Sequence, residues 1–401
     1  MTQTIESLEK WIGISVGDPT GIGPEVVVGS IASGIPHSEC IPIAIGNSRI
    51  LQQAAQLQQL PLAIHSAGSL VDAENLLRTG IGRSRDSLIC LETGDNAMDQ
   101  WVGPSSSPAI DPRAGQAAYE CVVRGTQLCL RGELQGLVTG PLHKVALHGA
   151  GHDWPGHTEL LAHLCGVEES AMMLYLTPGK PRHGGSAGLG VVHVTLHCAL
   201  REIFDRLSVS SVFQTIGLAH DFFMKLRTRM QLPPEPRIAV AALNPHAGEG
   251  GRFGNDEQTI IQPAVEKALR RGWHVFGPLP VDTLMPAAAR GDFDAVVAMY
   301  HDQGHIALKL LDMFEAVNIT LGLPIVRTSV AHGTAHDIAW KGIANPGGMT
   351  QAILAAALCQ LNAATTTVLK ANRRKNDFIK QDPLRWVSRS AGSCRRASRT
   401  A

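Results

Sequence analysis

One pattern recurs along most of the chain: a short apolar run ends abruptly in glycine and polar residues. The run WIGISV at 11–16 leads into GDPTGIGPE, LV at 137–138 leads into TGPLHK, and DAVVAMY at 294–300 leads into HDQG. Apolar strands that alternate with helical segments are typical of an α/β fold. Such sheets place their ligand sites beyond the carboxyl ends of the strands. The pattern therefore predicts an α/β protein whose functional residues follow its strands.

Size and composition indicate a globular protein with two domains. The 401 residues exceed what one hydrophobic core usually organises, and 44% hydrophobic and 17% charged residues are ordinary for folded chains. Lysine plus arginine and aspartate plus glutamate both number 35, which does not indicate a nucleic-acid surface. No apolar run reaches the ~20 residues of a membrane span, and the polar, acidic N-terminus is unlike a signal peptide. We expect a cytoplasmic protein that binds neither nucleic acid nor membrane. The eight cysteines form no Cys-x-x-Cys pair, as expected for reduced thiols in a cytosolic protein.

Apolar spacing predicts the remaining elements. Strand-like runs lie at 41–45, 60–64, 87–91, 171–176, 190–196, 237–243 and 273–277, and helices at 25–32, 48–58, 114–131, 159–165, 208–230, 258–271 and 347–361. The link 177–188, rich in Gly and Pro, is predicted to be a mobile hairpin loop. From Arg373 onward the periodicity fades and basic residues accumulate, so we expect a disordered basic tail.

Three histidines share one placement, because His197, His246 and His301 each follow an apolar strand. The carboxyl ends of parallel strands lie along one edge of a sheet, so these side chains can converge although they are far apart in sequence. Three imidazoles around one divalent ion leave an open position for substrate or water, as in catalytic zinc sites. Asp302 and Asp282 are natural partners for orienting a ligand or for general-base catalysis.

Two cationic residues, Lys309 and Arg327, flank apolar strands in the same region. Their placement favours an anionic substrate with a carboxylate or a phosphate; the alternative is a pair of exposed salt bridges. Further upstream, Thr158 suits the start of a helix, whereas a capping role explains the neighbouring His157 poorly. His157 is therefore a candidate functional residue.

Several long motifs resemble one known family. They are GDPTGIGPE at 17–25, TGPLHK at 139–144, GHTE at 156–159, NPHAGEGG at 244–251, YHDQGH at 300–305 and VNITLGLPIVRTSVAHGTAHDIA at 317–339. In order and over residues 11–361, the chain resembles the 4-hydroxythreonine-4-phosphate dehydrogenases of pyridoxal phosphate synthesis. The resemblance implies oxidation of 4-phosphooxy-L-threonine with NAD or NADP to a β-keto acid, which decarboxylates to 3-amino-2-oxopropyl phosphate. It also implies a divalent metal (zinc, cobalt or magnesium) and a homodimer whose active sites draw residues from both subunits.

The same resemblance implies roles for individual residues. The metal ligands correspond to His197, His246 and His301; the substrate contacts correspond to His157, Thr158, Lys309, Asn318 and Arg327. The cofactor is expected beside His332, Gly333, Thr334 and Asp337, without a Gly-x-Gly-x-x-Gly fingerprint. The resemblance does not identify the general base, for which Asp282 and Lys309 are both candidates.

The fold implied is that of the isocitrate and isopropylmalate dehydrogenases, two α/β/α domains with a cleft between them. We expect a cofactor-side domain from 11–137 plus 318–371, a metal, substrate and dimerisation domain from 138–317, and the basic tail at 372–401. The chain departs from the family at Trp340, where the family usually has glycine, and around His305. A bulky ring at 340 is expected to narrow the cofactor pocket or to stack on a base.

Three alternatives stay open. Relatives with the same metal chemistry oxidise four-carbon sugar-acid phosphates or cis-dihydrodiols of aromatic carboxylates, although Lys309, Asn318 and Arg327 favour a phosphate ester. A metal-independent acyltransferase acting on acyl phosphates has a similar fold. An inactive relative that only dimerises is the third alternative, and the intact histidines argue against it.

Overall fold

The computed structural model describes residues 10–94, 97–100, 102–104 and 109–360. The predicted tail at 372–401, the predicted domain segment 361–371 and the last residue of the predicted helix 347–361 lie outside the described residues. Within the described part, no helix is both long enough and apolar enough to cross a bilayer.

Twelve strands form one sheet in the described residues. They are β1 Trp11–Ser15, β2 Ile41–Gly46, β3 Ala63–Ala67, β4 Ser87–Glu92, β5 Gly136–Thr139, β6 Ala171–Leu176, β7 Leu189–His193, β8 Ile238–Ala241, β9 Val275–Leu279, β10 Ala295–Ala298, β11 Val317–Leu321 and β12 Arg327–Val330. Their order across the sheet is β3-β4-β2-β1-β5-β12-β11-β6-β7-β10-β8-β9.

Helices connect the strands. They are α1 Gly23–Ala32, α2 Ser48–Leu57, α3 Leu70–Arg78, α4 Pro112–Arg131, α5 Lys144–Gly149, α6 His157–Cys165, α7 Ile203–Arg206, α8 Val209–Arg229, α9 Gln262–Leu269, α10 Val281–Ala289, α11 His301–Asp312 and α12 Gly347–Cys359. Short 3-10 or π turns lie at Ile35–Ser38, Met98–Gln100, Leu200–Glu202, Pro245–Gly251 and Glu257–Ile261.

Two blocks of parallel strands make up most of the sheet. One contains β3, β4, β2, β1, β5 and β12, and the other contains β7, β10, β8 and β9. The antiparallel strands β11 and β6 join the blocks. Strands β2 and β10 are buried along their whole length, as expected for parallel strands covered on both faces. The α/β class predicted from the sequence is confirmed.

The domain boundaries stay a prediction. The changes of domain expected after residues 137 and 317 fall within β5 and β11 of this continuous sheet. One hydrophobic cluster packs around Ile43, Val122 and Leu137, and another packs around Val191 and Val296.

Several local predictions need correction. Strand β7 ends at His193, three residues before the predicted end. The apolar run at 60–64 becomes β3 at Ala63–Ala67. The polar cluster after β10, which carried no helix prediction, is the first turn of α11. Consequently His301, His305 and Lys309 recur every four residues and lie on one face of that helix.

Candidate active site

The strands that precede the three candidate metal ligands are neighbours in the sheet. Strand β10 pairs in parallel with β7 on one side and with β8 on the other. Their carboxyl ends therefore meet at one edge, as the sequence predicted. His301 begins α11 directly after β10, and His197 lies four residues beyond the end of β7.

Two of the three histidines come together. The ring centroids of His197 and His301 lie 5.8 Å apart. With zinc–nitrogen bonds of about 2 Å, two imidazoles on one ion have centroids roughly 5–6 Å apart, so this pair fits a shared ion. Burial, followed by the charge of Lys144, lowers the pKa of His197 and favours its neutral, ligating form. His301 Nδ1 lies 2.7 Å from Asp302 Oδ1, so the carboxylate holds that ring from behind.

The third histidine lies apart from this pair. His246 is exposed on the turn Pro245–Gly251, where its backbone adopts a left-handed φ of 53°. Its ring contact is with Phe253, at 6.4 Å between centroids. Among the described residues, no three His, Cys, Asp or Glu side chains are grouped closely enough to hold a metal ion. Within the described residues, one chain therefore brings together two of the three candidate ligands.

A buried guanidinium lies at the centre of the predicted substrate site. Arg327 is 1% exposed, and its Nη1 and Nη2 donate to Thr320 Oγ1 at 2.9 Å and Thr139 Oγ1 at 2.6 Å. Its Nε has no hydrogen-bond partner. Burial lowers the pKa of Arg327 to about 9, opposed by the charge of Glu159. A cation held only by neutral hydroxyls is well suited to receive an anion.

Two further candidate substrate ligands have unused polar atoms. His157 Nε2 and Asn318 Oδ1 are both buried without a hydrogen-bond partner. Burial and then the charge of Arg327 hold the pKa of His157 well below its ordinary value, so the ring is neutral and close to the guanidinium. Buried polar groups are rarely left unpaired, so these atoms indicate a polar ligand.

The remaining candidates are Thr158, Lys309 and Asp282. The first two lie near this region, whereas the described hydrogen bond of Asp282 is with its neighbour in the chain. Thr158 is the second residue of α6, directly after His157. Lys309 lies near the histidines, because its charge contributes to lowering the pKa of His305 after the larger effects of burial and His301. Asp282 is exposed near the start of α10, and its Oδ1 accepts from the neighbouring Thr283 N at 3.0 Å.

The predicted cofactor turn follows β12 and packs on the glycine-rich loop after β1. Ile22 N donates to Thr334 O at 3.0 Å, and a Cβ on Gly21 would lie only 2.8 Å from Thr334. His332, Gly333 and Asp337 are exposed, and a Cβ on Gly333 would meet no heavy atom within 4 Å. The turn therefore has one braced side and one open side, which fits a bound ligand.

The sequence analysis did not single out several polar residues around these sites. Asp18 is fully buried; its Oδ1 accepts from Thr20, and its Oδ2 has no partner. Thr20 Oγ1 lies 3.4 Å from His336 Nε2. Thr139 and Thr320, which hold Arg327, were also missed as binding residues. Their signal in the sequence is their position within or at the end of strands that carry other site residues.

Comparisons with known proteins show which proteins the chain is similar to. A model of the family described as "Pyridoxal phosphate biosynthetic protein PdxA" matches residues 38–356. A protein of Salmonella typhimurium named D-threonate 4-phosphate dehydrogenase is 41% identical over 86% of this chain and 97% of its own length. A protein of Desulforapulum autotrophicum named 4-hydroxythreonine-4-phosphate dehydrogenase is 38% identical over 90% of this chain and 97% of its own length. The crystal structure of a 4-hydroxythreonine-4-phosphate dehydrogenase from Klebsiella pneumoniae is similar with a TM-score of 0.75 and 38% identity, and covers 88% of this chain and 100% of that one.

Proposed function

Because the chain belongs to the family of the pyridoxal phosphate biosynthetic protein PdxA, we propose that it is an NAD(P)- and divalent-metal-dependent dehydrogenase of 4-phosphooxy-L-threonine. The reaction oxidises the substrate alcohol to a β-keto acid, which loses CO2 to form 3-amino-2-oxopropyl phosphate. The observation that carries the proposal is the buried Arg327, whose described hydrogen bonds go only to neutral hydroxyls, together with the unpartnered buried atoms of His157 and Asn318. The guanidinium offers an anion site, and the charge of Glu159 acts both on Arg327 and on His197, one of two imidazoles spaced for one ion.

The protein's own residues would bind and orient the substrate. Arg327 receives an anionic end of the substrate, to which His157 Nε2 can also donate, whereas Asn318 Oδ1 can accept from a substrate hydroxyl or ammonium group. Thr158 and Lys309 are further proposed contacts. Fixing both ends of a four-carbon chain places its central hydroxyl in one position, which lowers the entropic cost of reaction.

We assign the metal to His197 and His301 of one subunit and His246 of its partner. When bound, a divalent cation supplies Lewis acidity, which lowers the pKa of a ligated hydroxyl and stabilises negative charge on oxygen. Neutral imidazoles suit zinc or cobalt better than magnesium, which prefers oxygen ligands. Of the two candidate bases, the geometry favours Lys309, since the described bond of Asp282 stays within its own helix.

The nicotinamide cofactor is assigned to the turn of His332, Gly333 and Thr334, with Asp337 beside it. The open side of Gly333 and the bracing of Thr334 by Ile22 support this assignment. When bound, NAD or NADP supplies the hydride acceptor.

The separation of His246 from its two counterparts supports a homodimer with shared active sites. Helix α11 and the residues just after it also expose apolar side chains, with Leu310 82%, Phe314 63% and Ile306 58% exposed. Exposed apolar patches of this kind favour burial against another protein surface. A cytoplasmic location is supported by the described cysteines, none of which forms a disulfide.

Product analysis tests the substrate assignment. Metal-loaded protein incubated with 4-phosphooxy-L-threonine and NAD or NADP should release reduced cofactor and CO2 in equal amounts. Removal of all divalent metal should abolish this activity and readdition should restore it. Activity that survives complete chelation, or acyl transfer from an acyl phosphate, would favour the metal-independent alternative.

D-threonate 4-phosphate is the second candidate substrate, favoured by the relative from Salmonella typhimurium that is 41% identical. Both molecules present a phosphate, a carboxylate and an oxidisable alcohol, and they differ at the substituent on carbon 2. The ratio of kcat/KM for the two substrates decides between them. Turnover of the threonate phosphate without turnover of the amino acid would overturn the first assignment.

A further inference from the structure

A second pair of histidines lies against the candidate metal ligands and has no role in the function proposed above. His193 is the last residue of β7 and is 2% exposed, and His305 lies on α11 and is 8% exposed. The rings of His305 and His301 stack almost in parallel, with centroids 3.7 Å apart and planes 11° apart. His305 therefore covers one face of a proposed metal ligand.

Hydrogen bonds set the orientation of the pair. His305 Nδ1 lies 3.2 Å from His301 O and 3.1 Å from His193 Nε2. A carbonyl oxygen only accepts, so His305 Nδ1 carries the hydrogen and His193 Nε2 accepts it. His193 then carries its own hydrogen on Nδ1, which faces Met172 O at 3.4 Å. The chain of bonds thus runs from His305 through His193 to the backbone of β6.

The opposite side of His301 is held as well. Its Nδ1 lies 2.7 Å from Asp302 Oδ1, which accepts the hydrogen and leaves Nε2 free for an ion. The imidazole is consequently fixed by a carboxylate at one edge and by a stacked ring across one face.

Gly304 makes this arrangement possible. A Cβ at that position would lie 2.5 Å from His193 Nε2 and 2.5 Å from Val191 Cγ1. Only a residue without a side chain lets α11 approach β7 so closely. The motif HDQGH therefore encodes both the ligand and the close contact that supports it.

We propose that His305 and His193 are positioning residues for His301: the stacked ring of His305 holds the ligand imidazole in its metal-binding orientation, and His193 fixes His305. The inference rests on the proposed function, since it takes His301 as a metal ligand. Residues behind metal ligands typically change metal affinity by about 10- to 100-fold when they are replaced.

The test measures Co²⁺ binding to the metal-free, full-length protein. Isothermal titration gives the affinity, and the visible d–d absorption reports the ligand geometry without any turnover. We expect His305→Leu and His193→Leu to weaken Co²⁺ binding by about 10-fold or more and to alter the absorption band. His193→Gln should stay close to wild type, because its amide oxygen can still accept from His305.

A matched control removes a stacked imidazole elsewhere. His220 stacks on Trp273 with centroids 4.6 Å apart, so His220→Leu loses a comparable contact away from the site and should leave Co²⁺ binding unchanged. Circular dichroism and the Tm of each metal-free variant establish that it is folded. Should the leucine variants fail to fold, His305→Asn keeps a polar side chain without the stacked ring, and affinity and spectrum equal to wild type in that variant would overturn the proposal.

His301→Ala tests the metal assignment separately from the positioning role of His305 and His193. If this variant binds Co²⁺ as tightly as wild type does, the metal assignment itself is wrong. If His301→Ala abolishes binding while both leucine variants retain wild-type affinity and spectrum, the metal assignment stands and the positioning role is overturned.

Discussion

Arg327 has the largest of the fully buried side chains, and it is a cation. Transferring a charge from water to a protein interior costs several kcal/mol unless a counter-charge compensates. The two threonine hydroxyls that hold Arg327 offset only part of this cost, and its pKa is lowered to about 9 as a result. We therefore expect the residue to reduce the stability of the ligand-free protein in return for the anion binding proposed above.

Replacing Arg327 should affect function and stability in opposite directions. We expect Arg327→Met to lower kcat/KM for the phosphorylated substrate by roughly 10- to 100-fold, since a hydrogen bond to a charged group contributes about 1.5–3 kcal/mol. The Tm of the ligand-free variant should equal or exceed that of wild type, because a buried unpaired charge is removed. Steady-state kinetics and calorimetry measure both quantities. Arg131→Met, which removes an exposed partner of Glu133, is the control; unchanged kcat/KM in Arg327→Met would contradict the proposed role.

The lowered pKa of His157 predicts how the free energy of unfolding depends on pH. Burial and Arg327 hold its pKa well below the ordinary value in the folded protein, whereas the unfolded chain titrates near about 6.5. Below that pH the unfolded state binds more protons, so the free energy of unfolding should decrease as pH falls, by at most about 1.4 kcal/mol per unit from this residue. Urea unfolding of the metal-free protein between pH 7.5 and 5.5 measures the slope. The slope should be smaller in His157→Gln, and an identical slope in both proteins would show that His157 is not the cause.

At the scale of elements, hydrogen bonds hold the glycine-rich loop at 17–25 and the segment at 332–342 together. Glu25 is fully buried and accepts from Trp340 N at 2.6 Å and Gly342 N at 2.8 Å. The indole Nε1 of Trp340 donates to Pro19 O at 3.0 Å, and the residue is 5% exposed. The ring that was expected to narrow the cofactor pocket or stack on a base is thus buried as a brace between the two segments.

The close contact between these segments can be tested at Gly21. A Cβ there would lie 2.8 Å from both the Cβ and the carbonyl oxygen of Thr334. Gly21→Ala should therefore displace the cofactor turn and raise KM for NAD or NADP several-fold, with a smaller effect on KM for the phosphorylated substrate. Gly68→Ala is the matched control, because its nearest contact would be Asp72 Oδ2 at 3.4 Å. Equal changes in both KM values would argue against a specific effect on the cofactor turn.

At the scale of the whole molecule, the proposed assignment of His246 to the site of the partner subunit makes the oligomer part of the proposed chemistry. If the partner's His246 completes each site, two inactive variants should complement each other in a mixed dimer. In a mixed dimer of one His246→Ala subunit and one His301→Ala subunit, one of the two sites retains all three histidines and the other loses two.

Subunit mixing tests this arrangement. Each single variant alone should be inactive, and a random equimolar mixture should regain about a quarter of the wild-type activity, since half of the dimers are mixed and each has one intact site. Activity measured after unfolding and refolding the two variants together gives the result; refolding each variant separately before mixing is the control. No recovery in the mixed sample would rule out a site shared between subunits.

The sequence by itself determined the class of fold and where the candidate functional residues lie along the chain. Buried parallel strands read as short apolar runs, and their ends read as glycine and polar clusters, so GDPTG, TGPLHK and YHDQG were recognisable without coordinates. The motifs also identified the family, because long motifs in a fixed order carry more information than periodicity does.

Only the tertiary structure decided which of these residues meet, because the partners come from distant parts of the chain. The spacing of the motifs did not show that Thr139 and Thr320 hold Arg327, or that His193 lies against His305 across 112 residues. It also did not show that Trp340 packs inward on Pro19. Each of these contacts depends on the order of strands across the sheet, which is fixed by long-range packing rather than by local preference.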